Sequence, residues 1–433
     1  MKSANLIKRL FYTTVCGVLL FSLIFLRSWH LIGPISWRNM SAILLFFVAF
    51  VFTPKVIFKD KCINGYIVWL FVYIFVNMIT GYITTEHVYK NLIGYHMVSL
   101  MLLFSVPRLI KDRRQLKLII CLLGIFYIAN ALITILQFFN NSIAWNIGDY
   151  ISPMNLEKAE RMESLSASSD NMLSYSVCTG LNGFVVTNGQ FIACFAPIIT
   201  FFSVYNKLKY KTFSIIVLLG ILITSICVQQ RMCFFVTLLY CVILLYYIIG
   251  SIKKLIPIVL IGFLLFICSN VDNVNIEDFG RIFDFTDNHR THIGQYFSMF
   301  LSNTDYVLLG HCTVSNDANN ELFLTMGHNA LLDSFRRGGI LCFIIYIYLV
   351  VIILLKIYRI TKISIKNKNV LTIELCIVVF LNLCYSFTHS DGIPSGSVFF
   401  WGAYALMIAS YYIDRNSIYI QSLSHAKPIQ TTD

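Results

Sequence analysis

The stretch ILCFIIYIYLVVIILL, residues 340–355, carries no charge over sixteen positions, and KIYRITKISIK, residues 356–366, then brings in Lys356, Arg359, Lys362 and Lys366. An apolar run of that length, closed by a basic cluster, reads as a helix leaving a bilayer on its cytoplasmic side. The rest of the chain repeats the pattern. Apolar residues fill 58% of the 433 positions and charged residues 12%, about half the charged share of a soluble globular chain. Twelve apolar segments can be marked, at roughly 10–26, 36–53, 65–84, 92–107, 117–139, 190–205, 212–229, 232–250, 255–269, 329–355, 370–388 and 395–413. Several fall short of the ~20 residues a perpendicular helix needs, so tilt or local thinning has to cover the difference. The expectation is an all-α polytopic membrane protein of about 12 transmembrane helices, with a single transmembrane domain over 1–415 and a cytoplasmic tail over 416–433. Lys8 and Arg9 precede the first run, and Arg27-Ser28-Trp29-His30 after it offers no small-residue cleavage site, so that run is expected to stay as the first helix. Most of the thirteen cysteines, Cys121, Cys194, Cys241 and Cys376 among them, sit inside apolar runs as small hydrophobes. Cys178 and Cys312 lie in long polar loops, where a bridge and two free thiols are both open.

The basic residues give an orientation. With the N-terminus in the cytoplasm and strict alternation, 23 of the 33 lysines and arginines fall in cytoplasmic pieces and 10 outside, and every cytoplasmic loop is basic. Both termini are then cytoplasmic, and residues 140–189 and 270–328 form two long outer loops. The net charge of +12 follows from this topology and points to the lipid bilayer, not to nucleic acid, for which no motif is present. In the second loop Ile293, Tyr296, Phe297, Phe300 and Leu301 keep helical spacing on one face, as in an amphipathic helix lying on the membrane surface. No internal repeat or low-complexity tract is present.

Of the ten outer basic residues only Lys90 and Lys158 are lysines. Arginine outside runs against the orientation rule, so each one needs a partner. Arg231 stands in Val228-Gln229-Gln230-Arg231-Met232, between two apolar runs with almost no loop. An arginine at that depth marks a functional site or snorkels to the headgroups. Arg281 and Arg290 lie in the large outer loop, the latter in Asn288-His289-Arg290-Thr291-His292. Guanidinium forks suit a diphosphate, whose oxygens accept paired hydrogen bonds; a solvated loop charge is the plainer reading. Asp284, Asp287 and His289 do not keep a recognised metal spacing, and no metal is expected. The third group is Gly327-His328-Asn329-Ala330-Leu331-Leu332-Asp333, followed by Arg336-Arg337-Gly338-Gly339. His328 can take up a proton near neutral pH. A His-Asn pair that only caps the next helix fits equally.

Taken in order, these groups resemble the O-antigen ligase/polymerase family of membrane glycosyltransferases. Arg231 looks like its outer-hairpin arginine and Arg290, or Arg281, its loop arginine. Val307-Leu308-Leu309-Gly310-His311 is similar to its glycine-bearing stretch, and His328-Asn329 with Gly338-Gly339 to its last element. Asn182-Gly183-Phe184 through Gln190 looks like the family's entry into the sixth helix. The resemblance covers about residues 180–350. It departs at Gln229-Gln230, where Ser or Thr is expected before the arginine, and in lacking a second glycine after Gly310.

The resemblance implies an architecture like that of GT-C-type membrane glycosyltransferases in a bacterial inner membrane. It implies an O-antigen polymerase that joins undecaprenyl-diphosphate-linked repeat units at the periplasmic face. His328, Arg231 and Arg290 would be catalytic, with Arg281, Asn329, Arg336 and Arg337 binding substrate and outer aromatics such as Trp145 stacking on sugars. No cofactor is expected. The implied partners are the undecaprenyl-diphosphate-linked oligosaccharide and a chain-length regulator and flippase of the same pathway. A ligase that delivers glycan to the lipid A core shares all these groups. A flippase for lipid-linked sugars is the rival from another class; such transporters show related halves and broken helices near the midplane, whereas here the halves differ.

Overall fold

The computed structural model describes residues 2–27, 29–32, 35–52, 60–84, 90–139, 141–153, 178–205, 211–228, 230–249, 298, 301–302, 304–310, 329–387 and 392–425. The chain is helical almost throughout them. The elements are α1 (Lys2–Ile24), β1 (His30–Ile32), β2 (Ile35–Ser36), α2 (Trp37–Phe52), α3 (Lys61–Thr84), α4 (Lys90–Leu109), α5 (Arg113–Phe138), α6 (Ser142–Ile151), α7 (Val185–Tyr205), α8 (Lys211–Cys227), α9 (Arg231–Ile249), α10 (Thr304–Leu309), α11 (Ala330–Lys366), α12 (Val370–Ser386) and α13 (Val398–His425). Eleven of the twelve apolar segments lie on helices; the twelfth, 255–269, lies outside the described residues.

Three helices, α3, α5 and α11, are long and apolar enough to cross a membrane, and α1, α2, α7, α8, α9 and α12 hold shorter apolar stretches. The bundle has the inverted polarity that a lipid solvent favours. Large apolar side chains lie exposed at helical spacing, as at Phe71, Phe75 and Met78 on α3, Ile125, Ile128 and Leu132 on α5, and Ile216, Leu219 and Ile223 on α8. Inside are Asn77, His96, Asn130, Asn188, Gln190, Asp333 and Asn382, all buried. Polar groups in such an interior hold only where they find one another. Asn130 joins Asn188 at 2.7 Å and Gln190 joins Asn382 at 3.0 Å.

The helices alternate in direction. One end of the bundle is fastened by ion pairs. Asp60, just before α3, meets Lys356 of α11 and Tyr404 of α13. Arg113 of α5 meets Asp414 of α13 at 2.7 Å, and Thr372 of α12 donates to the same carboxylate at 2.9 Å. Asp112 caps α5, accepting from the amides of Arg114 and Gln115 at 2.8 Å each.

The structure differs from the sequence expectation in several places. The β1–β2 hairpin, with His30 opposite Ser36, joins α1 to α2. The stretch 140–189 is not all loop: α6 occupies part of it, and α7 begins at Val185, five residues before the expected start. Thr187, Asn188 and Gln190 break the apolar run there, yet Asn188 and Gln190 are buried against partners on α5, α12 and a turn, so the helix continues through them. Past Leu355, α11 runs on to Lys366, and α13 reaches His425, into the stretch assigned to the tail. Of the expected amphipathic helix only Ser298 and Leu301 are described, both helical.

Candidate anion-binding site

At the other end of the bundle two arginines meet one aromatic ring. Arg27 follows α1, and Arg38 is the second residue of α2; the hairpin between the two helices turns both towards Tyr95 on α4. Arg27 Nη2 donates to Tyr95 Oη at 2.8 Å. The guanidinium carbons of Arg27 and Arg38 lie 4.8 and 4.9 Å from the ring centroid, within cation–π range. Arg38 is only 8% exposed, and its Nε is buried with no hydrogen-bond partner among the described residues. Neither Arg27 nor Arg38 meets a carboxylate among those residues.

A third arginine arrives on α11. Asp333, fully buried one turn into that helix, accepts from Arg336 Nη2 at 2.6 Å and from Arg337 Nε at 2.7 Å. These are the i,i+3 and i,i+4 spacings that put side chains on one helix face. Asn77 of α3 donates to the Arg337 carbonyl at 3.2 Å. Immediately afterwards the helix breaks. Gly338 (φ −152°, ψ 23°) and Gly339 (φ 63°, ψ −161°) leave helical geometry, and Trp69 Nε1 donates to the Cys342 carbonyl beyond the break at 3.1 Å.

The turn after α10 fits into that break. Gly310 has φ 73°, and a Cβ there would stand 2.7 and 2.8 Å from the amide nitrogens of Gly338 and Gly339. A Cβ on Gly339 would meet the Leu308 backbone. The Gly310 and Gly338-Gly339 elements read from the sequence thus touch backbone to backbone, at a position that only glycine fills without strain.

Between these parts lies a cavity of about 210 Å³, with Arg27, Arg38, Tyr95 and Arg337 on its wall. Asn182, Thr187 and Gln190 from the entry of α7, and Ser395 and Ser397 from the turn before α13, complete its polar lining; no Asp or Glu lines it among the described residues. Hydrogen bonds hold the backbone turns beside them. Asn130 Oδ1 accepts from Leu181 N at 2.8 Å, Gln137 Oε1 accepts from Gly180 N at 2.8 Å, and Ser99 Oγ donates to the Gly396 carbonyl at 2.8 Å. The Asn182 Oδ1 is also buried without a partner among the described residues. Helices α2, α4, α7, α9, α11 and α13 all start at this end, so their positive dipole ends add to the arginines. The result is a polar hollow of fixed positive charge, suited to an anion with several oxygens.

The residues singled out in the sequence fall unevenly around it. Arg337 reaches the cavity. Arg336 is buried beside it on Asp333 and is not part of its lining. Asn329 caps α11, accepting from the amides of Leu331 and Leu332 at 2.9 and 3.3 Å, as the capping reading has it. Arg231 opens α9, half-buried. Its neighbour Gln230 accepts from Tyr385 Oη at 2.8 Å, and Gln230 packs on Gly189, next to Gln190 of the cavity. Trp145 sits half-buried on α6. His328, Arg281, Arg290 and Cys312 lie outside the described residues. Arg27, Arg38 and Tyr95 were not singled out as site residues. Their signal was the excess of arginine over lysine among the outer basic residues, but only the folded hairpin shows which two share a ring.

No protein-family model matches the chain, and no curated protein matches it.

Proposed function

We propose that this chain is a membrane glycosyltransferase acting on glycans carried by undecaprenyl diphosphate, and within that class an O-antigen polymerase. The observation that carries the reading is the cavity, without a carboxylate among its described lining residues, in which Arg27, Arg38 and Arg337 converge beside the Asn182–Gln190 entry and the Gly310/Gly338-Gly339 junction. On this reading the chain crosses a bacterial inner membrane about twelve times, in a GT-C-like arrangement, and the cavity opens on the periplasmic side.

In the transfer, a hydroxyl of the incoming repeat unit attacks the anomeric carbon of the growing glycan. The bond from that carbon to the diphosphate oxygen breaks, and the lipid diphosphate leaves with the electron pair. His328 takes the hydroxyl proton. The leaving group gains negative charge as the bond stretches, so guanidiniums already in place favour the transition state over the bound substrate. Arg27, Arg38 and Arg337 hold the diphosphate, with Arg231 and Arg290 supplying further positive charge as the family resemblance implies.

The test is deletion of the gene and display of the surface glycan on a gel. A polymerase deletion leaves the core carrying one repeat unit, a single shifted band. A bare core with long glycan accumulating on the lipid carrier makes the chain the ligase instead. An unchanged ladder, in a strain with no duplicate enzyme, removes both.

A further inference from the structure

A second hollow adjoins the arginine cavity. It measures about 390 Å³ and is lined by mostly apolar side chains of α1, α2, α4, α5 and α13, with Phe195 of α7. The two hollows share the side chains of Leu23, Ile24, Val398 and Phe399, so they adjoin along these residues. From Leu23 the larger hollow follows α1 down to Tyr12, about 17 Å at the helical rise. Gly402 of α13 lines it opposite Leu102, and a Cβ on Gly402 would come no closer than 4.0 Å to that leucine. No charged residue lines it among the described residues.

We propose that this groove seats the hydrocarbon chain of a polyprenyl diphosphate whose head group lies on Arg27, Arg38 and Arg337. The inference rests on the proposed function and adds the place where the lipid lies. That place is built mainly by α1, α2, α4, α5 and α13, outside the 180–350 stretch that carries the family resemblance, with Phe195 of α7 contributed from within it. One feature favours this lipid over an ordinary bilayer phospholipid. Among the described residues Arg27 and Arg38 meet no carboxylate, and Arg337 shares Asp333 with Arg336, which leaves more positive charge at the head-group hollow than one phosphodiester neutralises and matches a diphosphate. The apolar wall also lowers the dielectric around the arginines, which strengthens their hold on an anion.

The experiment uses the purified full-length chain in vesicles of phosphatidylethanolamine and phosphatidylglycerol, with a polyprenyl diphosphate that carries a diazirine in its hydrocarbon chain. Light should attach the probe to peptides of α1, α4 and α13. Excess unlabelled polyprenyl diphosphate should abolish the labelling, and extra phosphatidylglycerol should not. Gly402→Phe and Cys16→Trp, which fill the groove from two different helices, should each cut labelling severalfold, whereas Phe71→Trp on the exposed face of α3 should leave it unchanged. Arg38→Ala should weaken competition by the unlabelled diphosphate about tenfold, the loss expected for a charge-assisted hydrogen bond. Equal competition by phosphatidylglycerol, or labelling that ignores both groove variants, overturns the proposal. If the deletion strain loses its glycan polymer while the groove stays unlabelled, this site is wrong and the function stands. Specific labelling with an unchanged glycan ladder leaves the groove and removes the polymerase.

Discussion

Arg38 combines three properties: it is 8% exposed, its Nε is unpartnered among the described residues, and a second cation, Arg27, shares the same tyrosine ring. A buried guanidinium that meets no carboxylate among the described residues is costly, and an anion entering the cavity would offset that cost. Arg38→Ala and Arg27→Ala should each lower glycan transfer by ~10²–10³, the usual effect of losing one donor to developing charge, while membrane insertion is kept. Lysine at either position should rescue only in part, because an ammonium lacks the planar fork. Full transfer by Arg38→Ala, scored on the glycan ladder with the protein level matched, would remove Arg38 from the site. Asp333 plays a different part. It is the carboxylate that Arg336 and Arg337 share inside the bundle. Asp333→Asn should destabilise the protein by about 3–5 kcal/mol, the scale of breaking a buried ion pair. The check is a thermal unfolding curve in detergent, in which an unchanged midpoint would contradict the pairing. The residue types were legible in the sequence: outer arginines stood out, and Arg337 was among the residues named. The pairing was not, because Asp333 meets both arginines only through helix geometry, and Tyr95 was one tyrosine among twenty-four.

At the scale of elements the decisive feature is the break in α11. A helix 37 residues long by hydrogen-bond pattern is in fact interrupted at Gly338-Gly339, and the Gly310 turn occupies the gap. Gly339 combines φ 63° with ψ −161°, a region that side chains avoid at a cost of about 1–3 kcal/mol. Gly339→Ala adds the clash with Leu308, and Gly310→Ala adds one with the Arg336 carbonyl. Both should lower the detergent unfolding midpoint, and both should cut transfer, since Arg337 immediately precedes the break. Gly220→Ala on α8, where a Cβ meets nothing within 4 Å, is the neutral control. A Gly339→Ala protein as stable and active as the parent would mean that α10 does not dock in the break. The sequence displayed both glycine elements and their order, because glycine at such spacing is conspicuous. It did not display their contact, which depends on chain folding between positions 310 and 338. Helix starts were misread for a related reason. Hydropathy cannot tell an exposed polar residue from one paired inside a bundle, and Asn188 and Gln190 are of the second kind.

The molecule as a whole has two unlike ends, and this makes its orientation testable in one step. Hydrogen bonds and shared walls tie Arg27, Arg38, Tyr95, Asn182, Gln190 and Arg337 to one end, and Asn329 and Arg231 open helices that start there. Asp60, Lys356, Arg113, Asp112 and Asp414 stand at the other. The second end also holds Lys61, at the start of α3, and the basic run from Arg108 to Lys117. By the positive-inside rule that end is expected on the cytoplasmic side. Because the helices form one bundle, a single reporter fixes the side on which every candidate residue lies. Alkaline phosphatase, which needs the oxidising periplasm to form its disulfides, should be active when fused near Asp170 or Asp317 and silent near Asp112. The reverse result would place the arginine cavity in the cytoplasm. Glycan repeat units that are joined outside could not then reach it, and the polymerase and ligase readings would fall together. The cavity and groove would remain as geometry, but the lipid would have to enter from the inner leaflet, which is the requirement of a flippase. The fusion pattern thus separates the enzyme readings from the transport reading before any substrate is in hand.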